Sequence, residues 1–269
     1  MPRLARFAFL AFLVALGVTA PYAGTQVALA DSSVANAALA ESGAAVTARP
    51  AQVPSTIVIG FVGGFVRHDN PHHGPVVLAR RIQRSVPKDT YVQVFENRHR
   101  RSAYLKILDL LDRDRDGTLS EAEKAQARII LVGQSWGASA AVTLARELDR
   151  LGIPVLLTVQ VDSVAKWWQN DSVIPDNVTA AVNFYQPHGL IHGRREIVAA
   201  DPGKTQILGN YRFDYRKTPV KCGTSWSDRL FTPSHMQSEC DPNLWGQVAD
   251  LVQQRIEAAP GFVAANPAP

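Results

Sequence analysis

The sequence is short of cysteine, of net charge and of long apolar runs, and each shortage removes a class of protein. Its two cysteines, Cys222 and Cys240, allow one intramolecular disulfide at most. Its formal charge is +4, and Arg3 and Arg6 lie in an N-terminal leader without acidic residues. That leaves 26 basic against 24 acidic side chains from Asp31 onward, a net of +2. So small an excess argues against nucleic acid as an electrostatic partner. The apolar run Phe7–Val18 is too short to cross a bilayer, which takes about 20 helical residues. No cysteine stands near the end of the leader, so lipid attachment there has no candidate residue.

What is present is an ordinary globular composition, 46% hydrophobic and 19% charged over 269 residues. That suffices for one α/β domain with a substantial core. Residues 1–30 read as an export signal: Arg3 and Arg6, then the short apolar run, then Ala28-Leu29-Ala30 before Asp31. Cleavage after Ala20 or Ala23, or an uncleaved anchor, is the alternative. Residues 31–54 are rich in Ala, Ser and Val and read as a flexible linker. The folded domain is expected over 55–259, followed by a Pro/Ala tail, 260–269. The expected location is secreted or periplasmic, where Cys222 and Cys240 would pair; two free thiols are the other reading.

The most informative stretch is Ile129-Ile130-Leu131-Val132-Gly133-Gln134-Ser135-Trp136-Gly137. An apolar strand run stops at a glycine, a Gly-x-Ser-x-Gly turn follows, and a helix begins with Leu144, Leu148 and Leu151 on one face. A nucleophilic serine needs such a turn to lift its oxygen clear of a sheet, with glycines where strand and helix approach closely. The segment resembles the nucleophile elbow of the α/β-hydrolase superfamily, lipase/esterase-like. The resemblance implies a mostly parallel sheet with helices on both faces and a serine hydrolase acting on carboxylic esters; the alternatives are a thioesterase or peptidase of the same fold, or a non-catalytic calcium-stabilised binding module on that scaffold. In element order it covers roughly residues 55–259; in specific motifs, only the elbow, an acid, a histidine and a glycine loop.

The remaining site residues follow from the same resemblance. Ser135 is the nucleophile. Chain order in the superfamily is Ser, acid, His. The acid falls on Asp162, directly after the strand Val155–Val161, with Asp176 and Asp214 as fallbacks. The base falls on His235, expected on a loop before a last helix Leu244–Ala258, with His188 and His192 as competitors. The oxyanion donors would be the N–H of Trp136 and one from the loop after strand 56–62, at Gly64 or Phe65. The superfamily's usual His-Gly is absent from that loop. No long insertion suggests a large lid, which favours a small or soluble acyl ester as substrate over bulk lipid. No organic cofactor is implied.

Residues 112–123, DRDRDGTLSEAE, fit an EF-hand loop. Asp112, Asp114 and Asp116 would surround Ca²⁺, Gly117 permits the turn, the Thr118 carbonyl adds an oxygen, and Glu123 closes the site. A single loop without a partner hand points to a structural ion. The bland alternative is an acidic turn neutralised by Arg113 and Arg115. Three further features are open. His68, His72 and His73 lie in a Pro-containing loop and read as the rim of a cleft more than as a metal site. Trp167-Trp168 could line a pocket or pack. Residues 210–216 alternate like an edge hairpin.

Overall fold

Alternation of apolar side chains decides which helices cover which face of the sheet. The computed structural model describes residues 54–86, 88–222 and 233–258. The leader, nearly all of the linker and the tail lie outside them. Strand β1 (Thr56–Val62) is buried throughout. Its Ile57, Ile59 and Phe61 enter one core layer, with residues of α2 (Arg100–Leu111) and α4 (Trp136–Asp149). Val58 enters the other, with residues of α1 (Gly74–Ser85) and the last helix, α6 (Pro242–Glu257). The same division runs through β3 (Ile129–Gln134): Ile129 and Leu131 face one layer, Ile130 and Val132 the other. Strands buried on both faces read as continuous apolar runs, and these do.

The sheet has six strands in the order β2-β1-β3-β4-β6-β8, every neighbouring pair parallel. Here β2 is Thr90–Glu96, β4 Val155–Val161, β6 Val178–Tyr185 and β8 Gln206–Arg212. A two-residue parallel pair, β5 (Val173–Ile174) with β7 (Val198–Ala199), lies apart from it. From β1 the chain moves outward to β2, then returns to β3 on the other side of β1 and continues to β4. Ligand sites in open α/β sheets form at such reversals, beyond the carboxyl ends of the strands. The architecture is that expected of a single α/β-hydrolase-type domain. Among the described residues no helix is long and apolar enough to cross a membrane.

Two expectations are corrected. Residues 210–216 form no hairpin; their first half completes β8, which adds parallel to β6. Alternation specifies the pleat of a strand but not the direction of its partner. And His235 lies not on a loop but in the first turn of a helix, α5 (Pro233–Cys240). Asp241 breaks α5 from α6 by capping the latter, its Oδ1 accepting from Asn243 N–H at 2.8 Å.

Candidate functional site

Strand β3 ends at Gln134, and Ser135 takes φ 54°, ψ −125° before α4 starts at Trp136. A positive φ at a non-glycine residue is costly and is held by its surroundings. Here two glycines make the turn possible. A Cβ on Gly133 would lie 2.2 Å from the Gly137 carbonyl oxygen, and one on Gly137 would lie 2.3 Å from that of Phe61. The bend is tied to β4 by Ser135 N–H donating to the Val161 carbonyl at 2.9 Å.

Asp162 follows β4 at once, fully buried and also at positive φ (44°). Its carboxylate is enclosed by donors. Oδ1 accepts from Gly193 N–H at 2.5 Å and from Gln186 N–H at 3.2 Å; Oδ2 accepts from the Gln186 amide at 3.0 Å. A side chain on Gly193 would collide with Asp162, its Cβ 2.2 Å from Oδ1. From α5, His235 Nδ1 donates to Asp162 Oδ2 at 2.6 Å, and His235 Nε2 stands 2.9 Å from Ser135 Oγ. A carboxylate on Nδ1 fixes the tautomer that leaves Nε2 as acceptor toward the serine. Ser238 braces the arrangement, donating to the His235 carbonyl at 2.7 Å. Ser135, His235 and Asp162, far apart in sequence, thus form one hydrogen-bonded chain of buried groups.

The fallbacks are occupied elsewhere. Asp176 pairs with Lys204 at 3.2 Å; Asp214 accepts from Arg212 and stands 3.1 Å from His188 Nε2. His192 has only a long contact with the Gly193 carbonyl.

The loop after β1 is a turn closed by Val66 N–H donating to the Gly63 carbonyl at 3.2 Å, with Gly64 at φ 47°. Gly63 packs so closely on the elbow that a Cβ there would lie 2.8 Å from that of Ser135. The Phe65 ring stands edge-on to Trp136, centroids 5.6 Å apart. Buried Asn97, just beyond β2, donates from its side-chain amide to the carbonyls of Gly64 (2.6 Å) and Val62 (3.3 Å).

A cavity of about 580 Å³ opens over Ser135 and His235. Val66, Trp136, Val164, Ile191 and Met236 contribute apolar lining; Asn70, His72, His73 and Glu239 contribute polar groups. The Trp167–Trp168 pair does not line it; both rings are exposed, with Lys166 between the indoles of Trp136 and Trp168. Cys222 and Cys240 do line it, joined as a disulfide with Cα atoms 5.9 Å apart. Behind the site, buried Tyr215 donates to Asp241 Oδ2 at 3.0 Å. Burial first, then the Asp241 and Asp162 carboxylates, push its hydroxyl pKa up, so it remains a donor.

No family model matches the chain, and no curated protein does. Among solved structures the chain is similar to RedJ with a polyethylene glycol molecule in its active site: 10% identity, TM-score 0.42, 80% of this chain and 98% of that one. It is also similar to a cutinase-like protein from Cryptococcus sp., at 11% identity and TM-score 0.37 over 78% of this chain and 99% of that one. A third is a protein assigned to the α/β superfamily of hydrolases from Xanthomonas campestris, at 12% identity and TM-score 0.34 over 74% and 99%. These are distant likenesses, and the chemistry of this chain rests on its own residues.

In the loop 112–123, Asp112, Asp114 and Asp116 gather with ligand-type oxygens within 4.8 Å of one another. Asp112 Oδ1 is buried without a hydrogen-bond partner, while its Oδ2 accepts from Gly117 N–H at 3.0 Å. Thr118 donates to Asp116 from both N–H and Oγ. Glu123 does not join them. Its oxygens accept from Arg113 N–H (2.6 Å) and from Ser120 N–H and Oγ (2.9 and 2.8 Å), and Ser120 Oγ in turn caps the short helix α3, Glu121–Ala125. The backbone donors at Arg113 and then Ser120 lower the Glu123 pKa to about 2. His68 stands 3.6 Å from Glu96, whereas His72 and His73 face the cavity, so the three histidines share no center.

Proposed function

We propose that the chain is a serine hydrolase that cleaves carboxylic esters of small-molecule substrates by acyl transfer. The observation that carries this reading is the hydrogen-bonded series Asp162–His235–Ser135 at the mouth of a cavity, with the serine on a strained strand-to-helix turn. Ser135 Oγ attacks the ester carbonyl while His235 Nε2 takes its proton. Asp162 holds the imidazole in orientation and stabilises its charged form. His235 then returns the proton to the departing alkoxide, and water, activated by the same base, releases the acid.

Two backbone donors would hold the oxyanion, typically worth about 3–4 kcal/mol each. One is Trp136 N–H, at the start of α4 beside the nucleophile. For the other, topology favours Phe65 over Gly64. Asn97 follows β2, on one side of β1; Ser135 follows β3, on the other. The Gly64 carbonyl points to Asn97. In a trans peptide the next N–H points the opposite way, which would direct Phe65 N–H to the side of Ser135.

Two further elements belong to the reading. The disulfide suits an exported protein. The aspartates of the 112–123 loop suit a structural Ca²⁺, with the unpartnered oxygen of Asp112 as the group most in need of a ligand. The ion would brace the connection between α2 and β3 and takes no part in the chemistry. The reading is tested by turnover of p-nitrophenyl butyrate: wild type is expected to hydrolyse it, with Ser135→Ala and His235→Ala each lowering kcat by at least about 10³-fold. Equal turnover by all three proteins would overturn it.

A further inference from the structure

The cavity wall carries a second imidazole–carboxylate pair. His73 Nδ1 is hydrogen-bonded to Glu239 Oε1, and both residues line the same space as Ser135 and His235. The pair is largely buried, with side-chain exposures of 13% and 6%. His73 sits at the N-cap of α1, a position where a side chain usually bonds the first turn, yet it makes no such bond. Its ring reaches across to α5 instead. Glu239 is one helical turn beyond His235, so the two side chains share a face of α5.

We infer that His73 and Glu239 form a subsite for an uncharged, hydroxyl-bearing alcohol portion of the ester. The inference rests on the serine-hydrolase reading. Because His235 delivers its proton to the leaving oxygen, the alcohol lies on the α5 side of the scissile bond, where Glu239 and His73 stand. With Nδ1 committed to the carboxylate, Nε2 is the ring nitrogen left for a ligand, and in the neutral ring it accepts a hydrogen bond that a hydroxyl can donate. The carboxylate already has its partner, so the pair does not call for a cationic ligand. Asn70 and His72 add further polar groups to the cavity lining, while Val66 and Trp136 add apolar surface that suits an acyl chain. The substrate class is therefore a polyol ester, such as an acyl glycerol or acyl sugar, rather than an ester of a plain alkanol.

The test compares glycerol monobutyrate with n-propyl butyrate, which share the acyl group and differ in the hydroxyls. Wild type is expected to favour the glycerol ester by about tenfold or more in kcat/KM, since a site built for a hydroxyl discriminates against its absence. In His73→Asn, and in Glu239→Gln, which keeps the side-chain shape should the first variant fold poorly, that ratio is expected to fall at least about fivefold. A pair that merely clamps α5 would lower both esters alike, so an unchanged ratio in the variants, or no preference in wild type, overturns the subsite. Labelling by a fluorophosphonate, read in the same samples, separates this from failure of the hydrolase reading: an unlabelled wild type overturns both, a labelled one without preference only the subsite.

Discussion

The side-chain amide of Asn97 donates to the carbonyl oxygen of Gly64 at 2.6 Å, joining the end of β2 to the turn that lies against Ser135. This bond orients the Gly64–Phe65 peptide. It follows that Asn97→Ala frees that peptide and misaims a donor without touching the nucleophile. A fall in kcat of about tenfold, with KM nearly unchanged, is expected, smaller than the loss of a whole oxyanion donor. Two carbonyls lose a buried donor, at a cost of about 1–3 kcal/mol in stability. Steady-state kinetics beside a thermal melt check both; unchanged kcat would remove Asn97 from this role.

Gly137 tolerates no side chain, because a Cβ would meet the Phe61 carbonyl oxygen at 2.3 Å. Gly137→Ala is expected to push α4 off β1 and lower stability by about 1–3 kcal/mol through overpacking. Activity should fall further than stability, because Ser135 is displaced with the helix. A melt and a rate measured on the folded fraction distinguish the two effects.

Glu123 is held at a pKa of about 2, against an ordinary 4.5, by the N–H groups of Arg113 and Ser120. A carboxylate depressed on folding contributes stability that is fully present above its unfolded pKa and disappears as pH falls toward the folded one. Between pH 4.5 and 2 the Tm of wild type should therefore decline more steeply than that of Glu123→Gln. Parallel decline would contradict the assignment of those bonds.

Calcium should raise Tm through the aspartates of the same loop. For an extracellular-type site of about 1 mM affinity, 10 mM Ca²⁺ adds about 1.4 kcal/mol. Chelation should reverse the gain, and Asp112→Asn should abolish it. A Tm indifferent to Ca²⁺ would leave residues 112–123 as a capped acidic turn.

Much of this was legible in the sequence because it is local. The elbow is dictated within five residues, where Gly133 and Gly137 admit close approach and Ser135 takes the bend. The buried strand runs of β1, β3 and β4 likewise stood out, since each is covered on both faces. What stayed hidden depends on distant segments meeting. Gln186 and Gly193 enclose Asp162 from a loop that carries no motif, and Asn97 and the His73–Glu239 pair have no spacing that announces them. Glu123 had a visible signal: Ser120-Glu121-Ala122-Glu123 is a capping-box pattern. Position 12 of a calcium loop competes with that pattern for the same residue, and in the structure the helix cap holds it.

The central claim is that Ser135 is an activated nucleophile. The most direct measurement is the intact mass of the purified domain after exposure to a fluorophosphonate, with the adduct mapped by peptide. One adduct on Ser135, absent from Ser135→Ala and strongly slowed in His235→Ala, is the predicted result. A folded wild type that takes no adduct, or takes it elsewhere, would contradict the account.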